Sequence, residues 1–421
     1  YRQSERKHLY KQYADELINS GNAYYAFDTA EALDKERKLQ EEQGKTFIYN
    51  HHNREKLDTS LVISAEETAK RIANGEDFVI RFKTPVNETL HLHDIIRGDV
   101  KFETNLLDDK VLFKGDGMPT YHLANIVDDH LMETTHVIRG EEWLPSMPLH
   151  VLLYRAFNWE APEFAHLPLI MKPVGNGKLS KRDGDKMGFP VFPLDWKTAE
   201  GVSSGYREKG YFPEAVVNFL ALLGWNDGTE KELFSLEELV KAFDLNRVHK
   251  AGAKFDPEKN KWFNHQYLIK QDDVVLAKAF APIVESKNLN RDFSLVELTR
   301  IVSLIKERAH FVSEFWELSD YFFEAPTTYD EKASKNWKEE TPGLMQNLIA
   351  VLEGIQDYTA ANIESIVKEW MTANEIGMGK VMQPFRLSLV GALKGPHLFD
   401  IVELIGKEAT IQRIQKAIAS L

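Results

Sequence analysis

His136-Val137-Ile138-Arg139-Gly140-Glu141-Glu142-Trp143-Leu144-Pro145-Ser146 is the stretch on which the fold turns. His136 to Arg139 reads as a short strand, and apolar residues at helical spacing place helices over about 119–131 and 146–157. A further apolar run, Leu167-Pro168-Leu169-Ile170-Met171, follows. Helices alternating with short apolar strands predict a parallel sheet with crossover helices. Such sheets take their ligands at the carboxyl ends of the strands. Arg139 to Trp143 lie at one such end, and a glycine-rich basic loop lies at another.

Toward the N-terminus the pattern changes. Leu9, Tyr10, Tyr13, Leu17 and Ile18 share a helix face over residues 4–20, with Ser4 as expected cap and Gly21 as stop. A second helix is expected from Thr29 to Gln43, ending at Gly44, and a third after the capping box Ser64…Glu67 as far as Gly75. Residues 78–82, 90–96 and 111–114 read as strands, the last before the turn Gly115-Asp116-Gly117. This stretch is therefore α+β. Beyond Tyr267 amphipathic helices take over, over 293–319, 343–354, 360–372 and 399–419, so the C-terminal third is all-α.

Composition bounds the chemistry. With 421 residues, 43% apolar and 28% charged, the chain is globular and long enough for two to four domains. It has no cysteine, which excludes disulfides, thiolate metal sites and a Cys nucleophile. No apolar run approaches a membrane span and the first residues are not a signal peptide, so a cytoplasmic setting is expected. The net charge of −13 argues against non-specific coating of nucleic acid. Residues 379–421 are locally basic, with six Lys or Arg against three Asp or Glu.

Three groups of residues carry chemistry. In Gly175-Asn176-Gly177-Lys178-Leu179-Ser180-Lys181-Arg182, mobile glycines and three cations with a hydroxyl suit a flexible clamp on a polyphosphate, although any short basic run is most often a solvated loop. In Gly117-Met118-Pro119-Thr120-Tyr121-His122-Leu123-Ala124-Asn125, Tyr121 and Asn125 are four apart on a helix, so a hydroxyl and an amide converge on one small ligand. Arg139, at a strand end, can grip a carboxylate bidentately. Against this stands a plain surface pairing of Arg139 with Glu141 or Glu142, worth about 0–1 kcal/mol.

These segments resemble those of bacterial-type glutamyl-tRNA synthetases, class I aminoacyl-tRNA synthetases. The likeness runs from Arg2-Gln3-Ser4-Glu5-Arg6 to Met382-Gln383-Pro384-Phe385-Arg386 and Leu404-Ile405-Gly406-Lys407-Glu408. Lys178-Leu179-Ser180-Lys181-Arg182 stands where the family has its KMSKS loop. The resemblance implies a multidomain α/β plus all-α protein: part of a Rossmann-like catalytic domain (1–22 and 111–190), an α+β insertion that binds the acceptor end (23–110), a stem-contact region (191–266) and two anticodon-binding helical bundles (267–340 and 341–421). It implies ATP-dependent activation of L-glutamate to glutamyl-adenylate and transfer to the 3′ end of tRNA(Glu), with Mg2+ accompanying ATP. By the same resemblance Tyr121, Asn125 and Arg139 bind glutamate, and Glu142, Trp143, Lys178, Leu179 and Lys181 bind ATP. Lys178, Ser180 and Lys181 would carry the catalytic loop's role, and Arg308, Arg386, Pro396 and Leu398 would contact the anticodon. A monomer is the family expectation.

Two departures qualify this. The second class I signature, HIGH, occurs nowhere in the chain, so these 421 residues alone are expected not to make adenylate. Some family members bind zinc through cysteines in the insertion; here Ala26 and Asp28 occupy that region with His51 and His52 nearby, and no structural zinc is expected. A glutaminyl enzyme is contradicted by the helical tail, and a shorter relative that modifies a tRNA base by the tail's length. A non-enzymatic tRNA-binding remnant of a synthetase, and a non-discriminating enzyme that also charges tRNA(Gln), stay open beside the leading reading.

Overall fold

A computed structural model describes residues 2–199 and 201–421. In chain order it contains α1 (Lys7–Asn19), β1 (Ala23–Ala26), α2 (Ala30–Glu42), α3 (Ala65–Ala73), β2 (Val79–Phe82), β3 (Thr89–Asp94), β4 (Gly98–Glu103), β5 (Val111–Lys114), α4 (Tyr121–Leu131), β6 (His136–Gly140), α5 (Met147–Ala156), β7 (Glu163–Leu167), β8 (Ile170–Met171), α6 (Lys181–Met187), β9 (Trp196–Thr198) and β10 (Gly201–Ser203). Helices then dominate: α7 (Pro213–Ala221), α8 (Leu236–Ala242), the short β11 (Ala253–Lys254), α9 (Pro257–Lys270), α10 (Asp273–Glu285), α11 (Leu295–Ile305), α12 (Phe315–Phe323), α13 (Glu331–Ser334), α14 (Thr341–Gly354), α15 (Ala360–Ala373), α16 (Met378–Val390), α17 (Leu398–Ile405) and α18 (Lys407–Ser420). The chain forms two compact units. One comprises Tyr1–Leu179, Leu222–Lys231 and Val240–Phe255, the other Ser180–Ala221, Glu232–Leu239 and Asp256–Leu421.

In the first unit, Leu17 of α1, Ile80 of β2, Leu112 of β5, Leu123 and Val127 of α4 and Leu153 of α5 meet in one fully buried core. Each such side chain contributes roughly 1.5–3 kcal/mol. Ser4 does not cap α1 as expected; Gln3–Glu5 form a separate 3-10 turn and the helix begins at Lys7. Arg6 and Tyr10 are instead drawn to Asp128 of α4, each at 2.8 Å. Thr29 and Ser64 cap α2 and α3 through their hydroxyls, which accept the amides of Ala32 and Glu67.

Strands β1, β2 and β5 form an antiparallel sheet, and β3 and β4 a hairpin. Strand β3, expected to reach Ile96, stops at Asp94. Its carboxylate accepts the amides of Ile96 (3.0 Å) and Arg97 (2.8 Å) and so turns the chain. The predicted parallel pairing is present, β6 with β7 and β8 with β11, but among the described residues as separate two-stranded pairs rather than one sheet. The β6–β7 register sets Arg139 beside His166.

Apart from the antiparallel pair β9–β10 the second unit is mainly helical, and one apolar core runs from Leu268 to Ile414. Two expected long helices are broken. The stretch 293–319 divides into α11 and α12 because the carbonyls of Ala309 and His310 are taken by side chains of α9, His265 at 2.7 Å and Asn264 at 2.6 Å. The stretch 399–419 divides at Gly406, whose φ of +85° no right-handed helix accommodates. No helix among the described residues is long and apolar enough to cross a membrane.

Candidate active site

The site in the first unit is built around Arg139 at the end of β6. Its Nε donates to His166 Nε2 at 3.3 Å, one terminal nitrogen to Tyr121 Oη at 3.4 Å, and the other faces His150 Nδ1 at 3.3 Å. None of the three partners is a carboxylate. Among the described residues Arg139 has no carboxylate within ion-pairing distance, and the plain surface pairing does not form: Glu141 pairs with Arg97, and Glu142 with Lys178. The Trp143 ring lies 5.9 Å from the guanidinium carbon and 4.9 Å from the Tyr121 ring, so an aromatic wall flanks the cation.

Helix α4 brings Tyr121 to this cluster. Asn125, one turn on, donates to Asp129 at 2.7 Å, so a ligand that used this amide would compete with that bond. Burial raises the Asp129 carboxyl, against the opposing effects of Thr134, Asn125 and Arg139. Behind Arg139, burial and then the guanidinium's own charge hold His150 far below the usual imidazole range. The second nitrogen of His150, Nε2, faces His122 Nδ1 at 3.0 Å, and burial lowers His122 too. On the other side His166, fully buried, bonds Asp94 through Nδ1 at 2.6 Å.

The glycine-rich stretch is a tight hairpin. Gly175 and Gly177 have φ of +79° and +106°, the Lys172 amide reaches the Gly177 carbonyl at 3.1 Å, and the Leu179 amide reaches that of Ile170 at 2.8 Å. Lys178 is thereby presented to Glu142, and its ammonium holds that carboxyl below the ordinary range. A Cβ at Gly140 would sit 2.1 Å from Glu142 Oε2, so a larger residue there would push this carboxylate from its present position.

The motif does not remain a loop. Ser180 caps α6 in a reciprocal box with Asp183, its amide and hydroxyl reaching that carboxylate at 2.8 and 2.6 Å. The Ser180 hydroxyl is thus engaged. Lys181 opens the helix, with its ammonium 5.1 Å from the Phe192 ring and 5.9 Å from that of Trp196. Lys178 and Leu179 belong to the first compact unit, Ser180 and Lys181 to the second.

In the helical unit, Arg386 donates to the carbonyls of Lys394 (3.0 Å) and Pro396 (2.8 Å), pinning the Gly395-Pro396 turn. Leu398 is 2% exposed and its side chain packs in the core, so it is not an exposed apolar neighbour as expected. Arg308, exposed in a 3-10 turn, acts with Arg386 on the buried phenol of Tyr321. In the insertion, Ala26 ends β1, Asp28 accepts from the Tyr49 hydroxyl at 2.7 Å and the Asp58 amide at 3.1 Å, and the rings of His51 and His52 lie 3.8 Å apart.

Sequence reasoning missed Asp94, His150 and His166. A usable signal existed: single histidines inside the apolar runs Leu149-His150-Val151-Leu152 and Phe164-Ala165-His166-Leu167.

Comparison with known proteins places the whole chain in one family. Residues 1–262 match the family model for tRNA synthetases class I (E and Q), catalytic domain, and residues 275–418 match that for an anticodon binding domain. The chain is 83% identical over 421 residues to a glutamate–tRNA ligase of Flavobacterium johnsoniae and 77% identical to one of Flavobacterium psychrophilum, covering all of this chain and 84% of each relative. A crystal structure of a glutamate tRNA ligase from Elizabethkingia meningosepticum in complex with its amino acid is 51% identical, with a TM-score of 0.96 over all of this chain and 84% of that one.

Proposed function

We propose a division of labour from one premise: this chain belongs to the class I tRNA synthetases for glutamate and glutamine. Its function is the ligation of glutamate to tRNA. Glutamate is first joined to the α-phosphate of ATP with release of pyrophosphate, and the acyl group then passes to the terminal ribose of the tRNA. Neither step needs a protein nucleophile, so the residues act by positioning and by stabilising charge.

Arg139 receives the side-chain carboxylate of glutamate, with Tyr121 and Asn125 flanking it. The observation that carries this reading is a half-buried guanidinium that, among the described residues, is held by two imidazoles and a phenol and by no carboxylate. A carboxylate supplies the missing counter-charge, whereas the amide of glutamine leaves the cation uncompensated. Glu142, Trp143 and Leu179 border the nucleotide. Lys178 leaves Glu142 for the phosphates as negative charge develops, joined by Lys181, while Ser180 fixes the start of α6. Mg2+ arrives with ATP and neutralises phosphate charge. Among the described residues no three His, Asp or Glu side chains gather to hold a metal. Arg308, Arg386 and the backbone around Pro396 and Leu398 read the anticodon of tRNA(Glu), and the protein works as a cytoplasmic monomer.

The test is ATP–pyrophosphate exchange with tRNA present, using the protein at its full encoded length. Arg139→Ala is expected to lower kcat/KM for glutamate by about 10²–10³-fold, a few kcal/mol, with the KM for ATP within about twofold of wild type. Equal losses for both substrates would remove Arg139 from the role.

A further inference from the structure

Arg139 is a cation whose bonds to His166 and His150 exist only if the facing nitrogens carry no hydrogen. An imidazole offers one lone pair and one N–H, and which nitrogen is which depends on the partner of the other. Asp94 decides this for His166. Its Oδ1 takes the Ile96 and Arg97 amides, and both oxygens lie 3.1–3.2 Å from the His166 amide. Burial alone would raise this carboxyl, but the bonds from the His166 ring and from these amides outweigh it and keep Asp94 ionised. A carboxylate only accepts, so His166 Nδ1 holds the hydrogen at 2.6 Å and Nε2 turns its lone pair to Arg139. On the opposite side His150 accepts from Arg139 at Nδ1, leaving Nε2–H to donate to His122.

We propose that Asp94 and His166 are positioning residues for substrate selection: by fixing the tautomer behind Arg139 they hold its guanidinium in place through a neutral acceptor, so that its charge stays available to a substrate carboxylate. This rests on the assignment of Arg139 to glutamate. A carboxylate placed directly against Arg139 would also orient it, but would neutralise it. The ring relays the orientation and keeps the acidic group one imidazole away.

The experiment compares His166→Leu, His166→Gln and Asp94→Asn in the full-length protein by ATP–pyrophosphate exchange with tRNA. Leu removes the acceptor, whereas Gln can return an oxygen near the Nε2 position. Asn at position 94 offers an N–H toward the ring and favours the opposite tautomer. The KM for glutamate should rise at least tenfold in His166→Leu and Asp94→Asn, with that for ATP unchanged within twofold, and His166→Gln should recover most of the loss. Equal rises for both substrates, or a glutamate KM within twofold of wild type, would overturn the proposal. Imidazole 15N shifts of the unmodified protein test it without substitution: His166 should report the Nδ1–H tautomer and His150 the Nε2–H tautomer, and the reverse assignment would refute the relay. Arg139→Ala separates the two layers. If it leaves glutamate KM unchanged, the assignment of Arg139 fails; if it raises that KM while His166→Leu and Asp94→Asn do not, only the relay fails.

Discussion

Two arginines, one in each compact unit, show how differently the same guanidinium can be used. Arg413 of α18 is 6% exposed and donates to the carbonyls of Tyr321 (2.5 Å) and Leu389 (3.0 Å), in the last turns of α12 and α16. Those carbonyls have no intrahelical partners and sit at the negative ends of their helices, so Arg413 satisfies them and ties two helices together. Burial brings its pKa down to about 10, yet it remains charged at neutral pH. Arg139 is more open, its bonds are longer, and its partners are ring nitrogens and a phenol. Buried, with both bonds going to main-chain carbonyls at helix ends, Arg413 is a structural cation, whereas the longer bonds of Arg139 to side chains leave its charge without a carboxylate among the described residues.

The comparison can be broken most sharply at Arg413. Arg413→Ala should lower the stability of the helical unit by about 3 kcal/mol in urea unfolding, because two buried carbonyls lose their donor. Glutamate-dependent exchange by the folded fraction should stay unchanged. Loss of exchange with stability intact would mean that the two arginines are not functionally distinct.

A smaller effect is expected at Lys178, which shares the Arg139 end of the first unit but is paired with Glu142. Lys178→Ala should reduce kcat about 30-fold, roughly 2 kcal/mol, and leave the KM for glutamate within twofold. A rise in that KM as large as the fall in kcat would place Lys178 in substrate binding rather than charge stabilisation.

The smallest effect is the pH response. His150 and His122 are lowered from 6.5, so below about 6.5 the unfolded chain takes up protons that the folded first unit refuses. Stability therefore rises with pH through this window and is lost on acidification, by at most about 1.4 kcal/mol per pH unit for each ring. Thermal midpoints at pH 7.5 and 5.5 should show the first unit weakening at the lower value. A midpoint that rose on acidification would show these rings charged in the fold.

Much of this was legible in the letters. The spacing of Tyr121 and Asn125, the strand ending in Arg139 and the glycines before Lys178 depend on local rules, and the structure brings Tyr121 to within 3.4 Å of Arg139. The partners of those residues were not legible. Asp94 lies 72 positions from His166 in the chain and meets it only because β3 and β7 come together, a contact no periodicity announces. The broken helices teach the same lesson at a coarser level. Gly406 could be read as an interruption, but the break after Ile305 depends on Asn264 and His265 of another helix. Ser180, expected as a ligand on a loop, is a cap because Asp183 stands three residues on.

The central claim is that an uncompensated cation at position 139 selects an acidic side chain. The most direct test is the ratio of kcat/KM for glutamate to that for glutamine in ATP–pyrophosphate exchange, in wild type and in Arg139→Gln. A neutral amide in place of the guanidinium should lower the ratio at least a hundredfold, chiefly through glutamate. A ratio within threefold of wild type would contradict the claim.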